Sequence, residues 1–306
     1  MNNYYTPSGK FSPISFALLI VLCLTVFPIL GGLYTYAIWY IPFIYINFII
    51  TAVFAIAVGF LMNQVVIKLG KVRSPKLAIL LCLLGGFAAL YAHWVVWADL
   101  IVNASNTIGT SRIGITVSST NLEQLLILAK NPKVLFELMS EVNKYGSWGL
   151  FGQTVSGLLL WIIWVIEAMV ILLGSVLVGM HQAKNPFCEK SNKWFKEIAL
   201  PPTSYIFSKP DLVSELEQGS DKILSTLNLH DVVFDIMSYS QFTVFSSDHD
   251  EHYLTAVNMK KIVDNKGEVN YEEDDVIEHI EITTKILNLL QNVKKKERDT
   301  KNESAE

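Results

Sequence analysis

Charge is nearly absent from three long stretches of this sequence. Residues 14–66, 77–98 and 150–178 contain no Lys or Arg, and Glu167 and His93 are the one acid and the one histidine among them. Over the whole chain 17% of the residues are charged, against about a quarter in a typical soluble protein. The sequence therefore predicts a membrane protein, with a more polar region after residue 180.

Motifs that bind nucleotides or catalyse hydrolysis are missing as well. The chain has no G-x-x-x-x-G-K-[ST], H-E-x-x-H or G-x-S-x-G pattern. After residue 180 it carries 23 acidic and 15 basic side chains, whereas nucleic-acid binding needs a basic face. We predict no cofactor, no nucleic-acid partner and no catalytic residue, and an enzyme is the last of the functions we consider.

Cysteine is scarce, with Cys23, Cys82 and Cys188. The segment 99–150 has none, which excludes a disulfide framework there. Cys188 begins "CEKS", half of a C-x-x-C motif, and residues 248–252 place five possible ligands in a row. Because metal sites usually draw their ligands from separate elements, we predict no metal site.

The apolar stretches predict four transmembrane α-helices. About 20 residues cross a hydrocarbon core of roughly 30 Å, and only a helix satisfies its own backbone there. Pro42 divides the first stretch, because proline starts a helix better than it continues one. The predicted spans are 15–39, 43–66, 77–98 and 151–178. The predicted fold class is an α-helical polytopic membrane protein with a small α+β cytoplasmic domain.

Basic residues predict the orientation of these spans. They lie in a cytoplasmic loop, 67–76, and in a juxtamembrane segment, 179–196, where they also suit anionic lipid headgroups. The loop holds Lys68, Lys71, Arg73 and Lys76, and the segment holds Lys184, Lys190, Lys193 and Lys196. Both termini, including residues 1–14, are then cytoplasmic. We expect a multi-pass protein of a bacterial plasma membrane.

Two further regions complete the predicted organisation. The extracytoplasmic segment 99–150 contains a short strand, "RIGITVSS", and two short helices, which either pack on the spans, as we favour, or lie in the headgroup layer. The cytoplasmic domain, 197–293, combines helices with strands such as "YSQFTVFSS". Its "DDVIEHIEITTKILNLLQNV" has helical spacing. The tail, 294–306, is predicted to be disordered.

Glu167 is the main candidate for chemistry, because an acid inside a span should face protein or water rather than lipid. Its depth is similar to that of Thr25 and Thr51, and a contact with His93 or Tyr91 is possible but not required. Either Glu167 handles protons or ions, or it is a buried polar anchor that fixes helix register or an oligomer contact. The second interpretation is favoured.

His93 alone is best explained by a place at the aromatic membrane interface. The glycine pairs Gly31–Gly32 and Gly85–Gly86 could form a hinge, but close helix packing is the simpler interpretation.

These features favour an anchoring, sensing or assembly component that couples a four-helix membrane bundle to a cytoplasmic partner. The expected partners are the lipid bilayer and either a cytoplasmic protein or further copies of the chain. The alternative is a small oligomeric channel or proton-coupled transporter that uses Glu167.

Overall fold

The computed structural model describes residues 3–41, 43–105, 107–109, 114–146, 148–150, 153–222, 224 and 238–290. The chain divides into two compact units. Ser8–Lys184 form one unit, which we call the helical unit. Met1–Pro7 and Asn185–Glu306 form the other, which we call the α/β unit. The predicted tail 294–306 and Pro42 lie outside the described residues.

Four helical segments are long and apolar enough to cross a membrane. They are Ile14–Tyr40, Tyr45–Leu69, Pro75–Val102 and Gly157–Lys184. Four apolar helices and a separate, smaller α/β region agree with the predicted fold class at this level of detail.

The first segment is broken into α1 (Ile14–Leu24) and α2 (Val26–Tyr40) at Thr25. Pro28 explains the break, because proline lacks an N–H and its ring clashes with the carbonyl four residues earlier, at Leu24. Thr25 accordingly leaves helical geometry, with φ −123° and ψ −66°.

The second and third segments are joined by a tight turn. α3 (Ile44–Leu61) continues as a π-helix, Met62–Leu69, and α4 (Pro75–Val102) follows. A Cβ atom at Gly70 would lie 2.6 Å from Ser15 Cβ, so glycine allows the start of α1 to approach this turn closely. Ser74 caps α4 by accepting a hydrogen bond from Leu77 N, and Pro75 suits the first helical position.

The rest of the helical unit contains two small hairpins and two short helices. In chain order these are β1 (Thr107–Gly109), β2 (Gly114–Thr116), α5 (Leu122–Lys130), α6 (Pro132–Tyr145), β3 (Trp148–Leu150) and β4 (Gln153–Val155). Each hairpin is antiparallel, β1 with β2 and β3 with β4. Apolar residues of α5 and α6, among them Leu128 and Leu135, pack in the same core as the long helices.

The last long helix starts later than the sequence predicts. α7 (Gly157–Gly179), followed by a 3-10 turn at His181–Lys184, begins six residues after the predicted start at 151. Residues 153–155 are a strand because their backbone pairs with β3. Gly157, with φ +64°, then separates this strand from the helix.

The α/β unit is built on one antiparallel sheet. Its elements are β5 (Phe187–Cys188), β6 (Lys193–Trp194), β7 (Lys196–Ala199), β8 (Thr203–Ser204), α8 (Lys209–Glu217), β9 (Tyr239–Ser246), β10 (His252–Val263) and β11 (Val269–Glu281). The sheet order is β11-β10-β9-β7, and β8 also pairs with β9. Residues 284–290 are helical, and Leu212, Phe242, Leu254 and Ile286 are buried in the core.

The predicted helix over "DDVIEHIE" is wrong, because these residues belong to β11. Leu254 pairs with Ile280 and Ala256 with Ile277, so β11 carries one extra residue between the two pairs. This β-bulge places apolar residues three positions apart, a spacing that resembles a helix. His279, with φ +51°, lies in the bulge.

The N-terminal residues extend the same sheet, which the sequence did not suggest. Glu281 N donates to Asn3 O at 2.6 Å and Tyr5 N donates to His279 O at 2.9 Å. The Tyr4 hydroxyl donates to a carboxylate oxygen of Glu217 at 2.8 Å. Residues 3–7 therefore belong to the α/β unit, which itself begins at Asn185 rather than at the predicted boundary of 197.

Candidate functional site

The carboxylate of Glu167, on α7, is held by side chains from two other helices. The Tyr34 hydroxyl, on α2, donates to Glu167 Oε1 at 2.5 Å. His93 Nε2, on α4, lies 3.4 Å from the same oxygen. The Glu167 side chain is 16% exposed and that of His93 is 1% exposed. The contact between Glu167 and His93 that the sequence left open is thus present.

The other ring nitrogen of His93 limits where protons can lie. His93 Nδ1 is 2.8 Å from Thr35 Oγ1, which is also 2.7 Å from Gly31 O. The hydroxyl has one proton to donate. If it donates to Gly31 O, Nδ1 carries a proton; if it donates to Nδ1, Nε2 carries one. In either case a favourable contact between Nε2 and Glu167 Oε1 requires a proton between them, although 3.4 Å is longer than an ordinary hydrogen bond.

A second hydroxyl group holds Tyr34 in place. Tyr34 Oη lies 2.8 Å from Thr51 Oγ1, on α3, and Thr51 also donates to Asn47 O at 2.8 Å. The Tyr34 ring stacks on Phe54, with centroids 4.4 Å apart. Since Tyr34 gives its proton to Glu167, the Thr51 proton is shared between Asn47 O and Tyr34 Oη. Four helices, α2, α3, α4 and α7, therefore meet in one hydrogen-bonded group, which we call the Glu167 network.

The Glu167 network lies nearer to one end of the long helices than to the other. We call this the distal end; α2 and α4 finish there, at Tyr40 and Val102, while α3 and α7 begin there. At about 1.5 Å per residue the network residues are about 8–15 Å from the distal end of their own helices. Among the neighbouring rings are Trp94, Trp97 and Trp164, whose centroids are 5.0–5.6 Å apart.

The other residues that the sequence put near Glu167 have partners elsewhere. The Tyr91 hydroxyl donates to Ala129 O at 2.9 Å rather than to Glu167. The Thr25 hydroxyl donates to Val21 O, one turn earlier in the chain. The His93 side chain is buried, with Thr35 beside one ring nitrogen and Glu167 beside the other.

Tyr34 and Thr35 are the network residues that sequence reasoning missed. Both lie in "GGLYTYAIWY", where Tyr34 reads as one of several aromatic residues near a membrane surface. The available signal was the adjacent Gly31. A Cβ there would lie 2.9 Å from His93 N, so glycine brings α2 against α4 and aligns Thr35 with His93.

The basic residues of the predicted cytoplasmic loop have different surroundings. Lys68 lies in the last turn of the π-helix, and Lys71 has a positive φ of 48°. Arg73 is 8% exposed, and its backbone N donates to Lys10 O. Lys76 lies in the first turn of α4. Because it is buried, the Arg73 side chain is poorly placed to meet lipid headgroups.

Two of the four juxtamembrane lysines form ion pairs inside the α/β unit. Lys190 Nζ lies 3.0 Å from a carboxylate oxygen of Glu251, and Lys193 Nζ lies 3.5 Å from one of Asp248. The hydrogen bond to Glu251 raises the pKa of Lys190 above its usual value. Lys184 ends the 3-10 turn and Lys196 begins β7.

The two segments weighed as metal sites do not form one where the structure describes them. Among the described residues no three His, Cys, Asp or Glu side chains come together as possible ligands. Cys188 is buried with Phe195 and Phe245, and His252 is buried at the start of β10.

Comparisons of the chain with protein-family models, with curated proteins and with solved structures found no match.

Proposed function

We propose that the protein is a multi-pass membrane protein that anchors, senses or assembles, coupling its four-helix bundle to a partner of the α/β unit. The partner is a cytoplasmic protein or another copy of the chain, and both termini lie in the cytoplasm of a plasma membrane, which we take to be bacterial. The Glu167 network serves in this proposal as a polar anchor that fixes the register of four helices.

The observation that carries the proposal is the path of the first twelve residues. Asn3 and Tyr5 hydrogen-bond β11 in the α/β unit, while Gly9 N donates to Arg73 O and Ser12 N to Gly70 O in the helical unit. The chain also passes between the units at Lys184–Asn185. Each unit is thus tied to the other by two short connections, which supports mechanical coupling between them.

Orientation is supported by the same connections and by charge. Residues 3–7 and 185–290 belong to one unit, which supports a topology with both flanks of the four spans on the same side of a membrane. Basic residues accumulate on that side, at 68–76 and 184–196, as in cytoplasmic loops.

Hydrogen exchange can test the coupling in the full chain. Ser12→Pro removes the amide that donates to Gly70 O, whereas Ser12→Ala keeps it. We expect the Pro variant to exchange several-fold faster at the amides of Tyr5 and Glu281, which hold residues 3–5 against β11, and the Ala variant to match the wild type. Identical exchange in all three proteins would show that the α/β unit holds residues 3–5 independently of the bundle.

One observation favours a second candidate function. The 3.4 Å contact between His93 and Glu167 is a place where a proton can be held, which supports a proton-coupled transporter or channel. Glu167→Gln keeps the size and the hydrogen-bonding capacity but cannot titrate near neutral pH. Proton or ion flux into liposomes that the wild type supports and the Gln variant lacks would replace our proposal with this one; no flux from either protein would support the anchor.

A further inference from the structure

The hairpin of α5 and α6 runs back along α4 from the distal end. At its start Asn121 N donates to Asp99 Oδ2 at 3.0 Å, and near its tip the Tyr91 hydroxyl donates to Ala129 O at 2.9 Å. The eight residues between these contacts cover about 12 Å on each helix. The hairpin tip, residues 130–133, therefore lies about 16 Å from Val102, measured along α4.

Charged side chains at the tip limit how far the hydrocarbon core of the membrane can extend along the hairpin. Lys133 is 88% exposed and Glu137 63% exposed, and they form only a loose ion pair of 3.9 Å. Lys130 is exposed as well. Placing such charges in hydrocarbon costs a few kcal/mol each. Beside this hairpin the hydrocarbon core must therefore end near the level of Tyr91.

The length of α4 on the other side of this boundary is close to the thickness of a hydrocarbon core. From Tyr91 to Pro75, α4 extends about 24 Å, and the basic turn at 68–73 follows directly. Lysine side chains that reach outward toward the headgroups add several ångströms at each side. This is sufficient for a hydrocarbon core of roughly 30 Å.

Apolar side chains beside the tip remain uncovered by the protein. Leu126 and Ile127 on α5 are each 53% exposed, and Val134 on α6 is 47% exposed. On α4, Phe87, four residues inward of Tyr91, is also exposed. The tip thus has exposed apolar side chains at about the same level as the exposed apolar face of the bundle. It also carries lysines, which suit lipid phosphates.

We propose that the tip of the α5–α6 hairpin is a lipid-binding element that lies in the outer headgroup layer. Leu126, Ile127 and Val134 enter the edge of the hydrocarbon, and Lys130 and Lys133 bind the phosphates of anionic lipids. The proposal rests on the membrane location of the bundle proposed above.

This position changes the setting of the Glu167 network. His93 is two residues from Tyr91 toward the distal end, so the network lies at the outer boundary of the membrane rather than at its centre. Glu167 then sits at a level where lipid headgroups are close. A polar group at this level costs less than one at mid-membrane.

Depth measurement by spin labelling tests the proposal in the full chain. A nitroxide is placed at Ile127, at Leu84 as a mid-span control and at Tyr145 as a control at the far end of α6; all three side chains are exposed. Vesicles contain equal amounts of phosphatidylcholine and phosphatidylglycerol. We expect oxygen and nickel-chelate collision rates to place Ile127 at the edge of the hydrocarbon, just below the phosphates and between the depths of Leu84 and Tyr145.

Each other outcome has a distinct meaning. A label at Ile127 as accessible to nickel as one at Tyr145 would mean that the hairpin stands clear of the lipid. A label as deep as one at Leu84 would mean that the hairpin enters the hydrocarbon. Either result overturns the inference and leaves the membrane proposal intact, whereas a water-exposed Leu84 overturns the membrane proposal itself.

The lysines require a separate comparison. Changing Lys130 and Lys133 together to Gln should move the label at Ile127 outward in the anionic vesicles and leave it unchanged in pure phosphatidylcholine. No shift in either lipid would refute binding of anionic headgroups. If replacing Cys23, Cys82 and Cys188 with Ala prevents folding, a fluorescent amino acid incorporated at the same positions reports the same depths.

Discussion

Gly31 and Gly32 are neighbours on α2, yet an added methyl group would meet different surroundings at each. At Gly31 a Cβ would lie 2.9 Å from His93 N and 3.1 Å from Ala89 O, both backbone atoms of α4. At Gly32 the nearest atom within 4 Å is Val96 Cγ2, at 3.9 Å, an ordinary contact. The close approach of α2 and α4 that supports the Glu167 network therefore depends on Gly31.

Alanine at these two positions gives a matched pair of variants. Gly31→Ala forces the backbones apart, so we expect a loss of about 1–3 kcal/mol in stability. Gly32→Ala should be neutral or stabilising by up to about 1 kcal/mol, because alanine is the better helix former. Unfolding in detergent, followed by circular dichroism, measures both. Equal effects would mean that the helices are not in contact at Gly31.

His252 predicts a pH dependence for the α/β unit. Its Nδ1 lies 2.9 Å from Ser246 Oγ, while Nε2 is buried with no hydrogen-bond partner among the described residues. Burial lowers the pKa of His252 below its usual value, and Asp250 opposes this in part. The unfolded chain thus binds a proton more readily than the folded one, and stability is lost as pH falls through the unfolded pKa toward the folded one.

The expected result is a steeper loss in the wild type than in His252→Gln. Denaturant unfolding of the α/β unit between about pH 7.5 and about pH 5 should show the difference below about pH 6.5, the ordinary pKa of histidine. The substitution itself lowers stability at every pH, so the slope is the quantity to compare. Parallel slopes would show that His252 titrates alike in both states.

At the scale of elements, the long helices follow from the sequence and β11 does not. An apolar run without charge has few alternatives to a buried or membrane helix, so four helices could be predicted from composition alone. The segment around Ile277 and Ile280 has the spacing of a helix because of its bulge, and the pairing with β10 depends on residues more than twenty positions away. Local periodicity cannot reveal such a partner.

The candidate site, like the fold, could be predicted from the sequence only in part. Glu167 and His93 are conspicuous because ionisable groups are costly in apolar runs. Tyr34, Thr35 and Thr51 are ordinary residues of a span, and their role depends on the rotation and register of four helices. That register is set by close contacts such as the one at Gly31, which one sequence does not reveal.

The start of the α/β unit can be tested with two fragments. A fragment from Asn185 to 293 keeps Phe195, which is buried with Cys188 and Phe245; one from the predicted boundary at 197 loses it. Removing a buried Phe side chain costs about 3–5 kcal/mol. We expect thermal unfolding of the longer fragment to be cooperative and that of the shorter one to occur at a much lower temperature. Fragments of equal stability would place the boundary at 197.

At the scale of the whole molecule, the first residues constrain the proposed membrane topology. Because Asn3 and Tyr5 hydrogen-bond β11, a chain that crosses a membrane between residues 7 and 185 must cross it an even number of times. Four spanning helices satisfy this condition. In the proposed topology the basic residues at 68–76 share a side with the α/β unit, and the hairpin of α5 and α6 lies on the opposite side.

Two single cysteines test this arrangement directly. Ser119, before α5, and Asn265, in the turn between β10 and β11, are both exposed. On intact cells an impermeant thiol reagent should label Ser119→Cys and leave Asn265→Cys unlabelled, and permeabilisation should make both reactive. The reverse pattern would invert the orientation, moving the α/β unit outside and the Glu167 network toward the cytoplasmic face. Labelling of both in intact cells would mean that the four helices do not separate the two sites, because no membrane would then lie between the hairpin and the sheet.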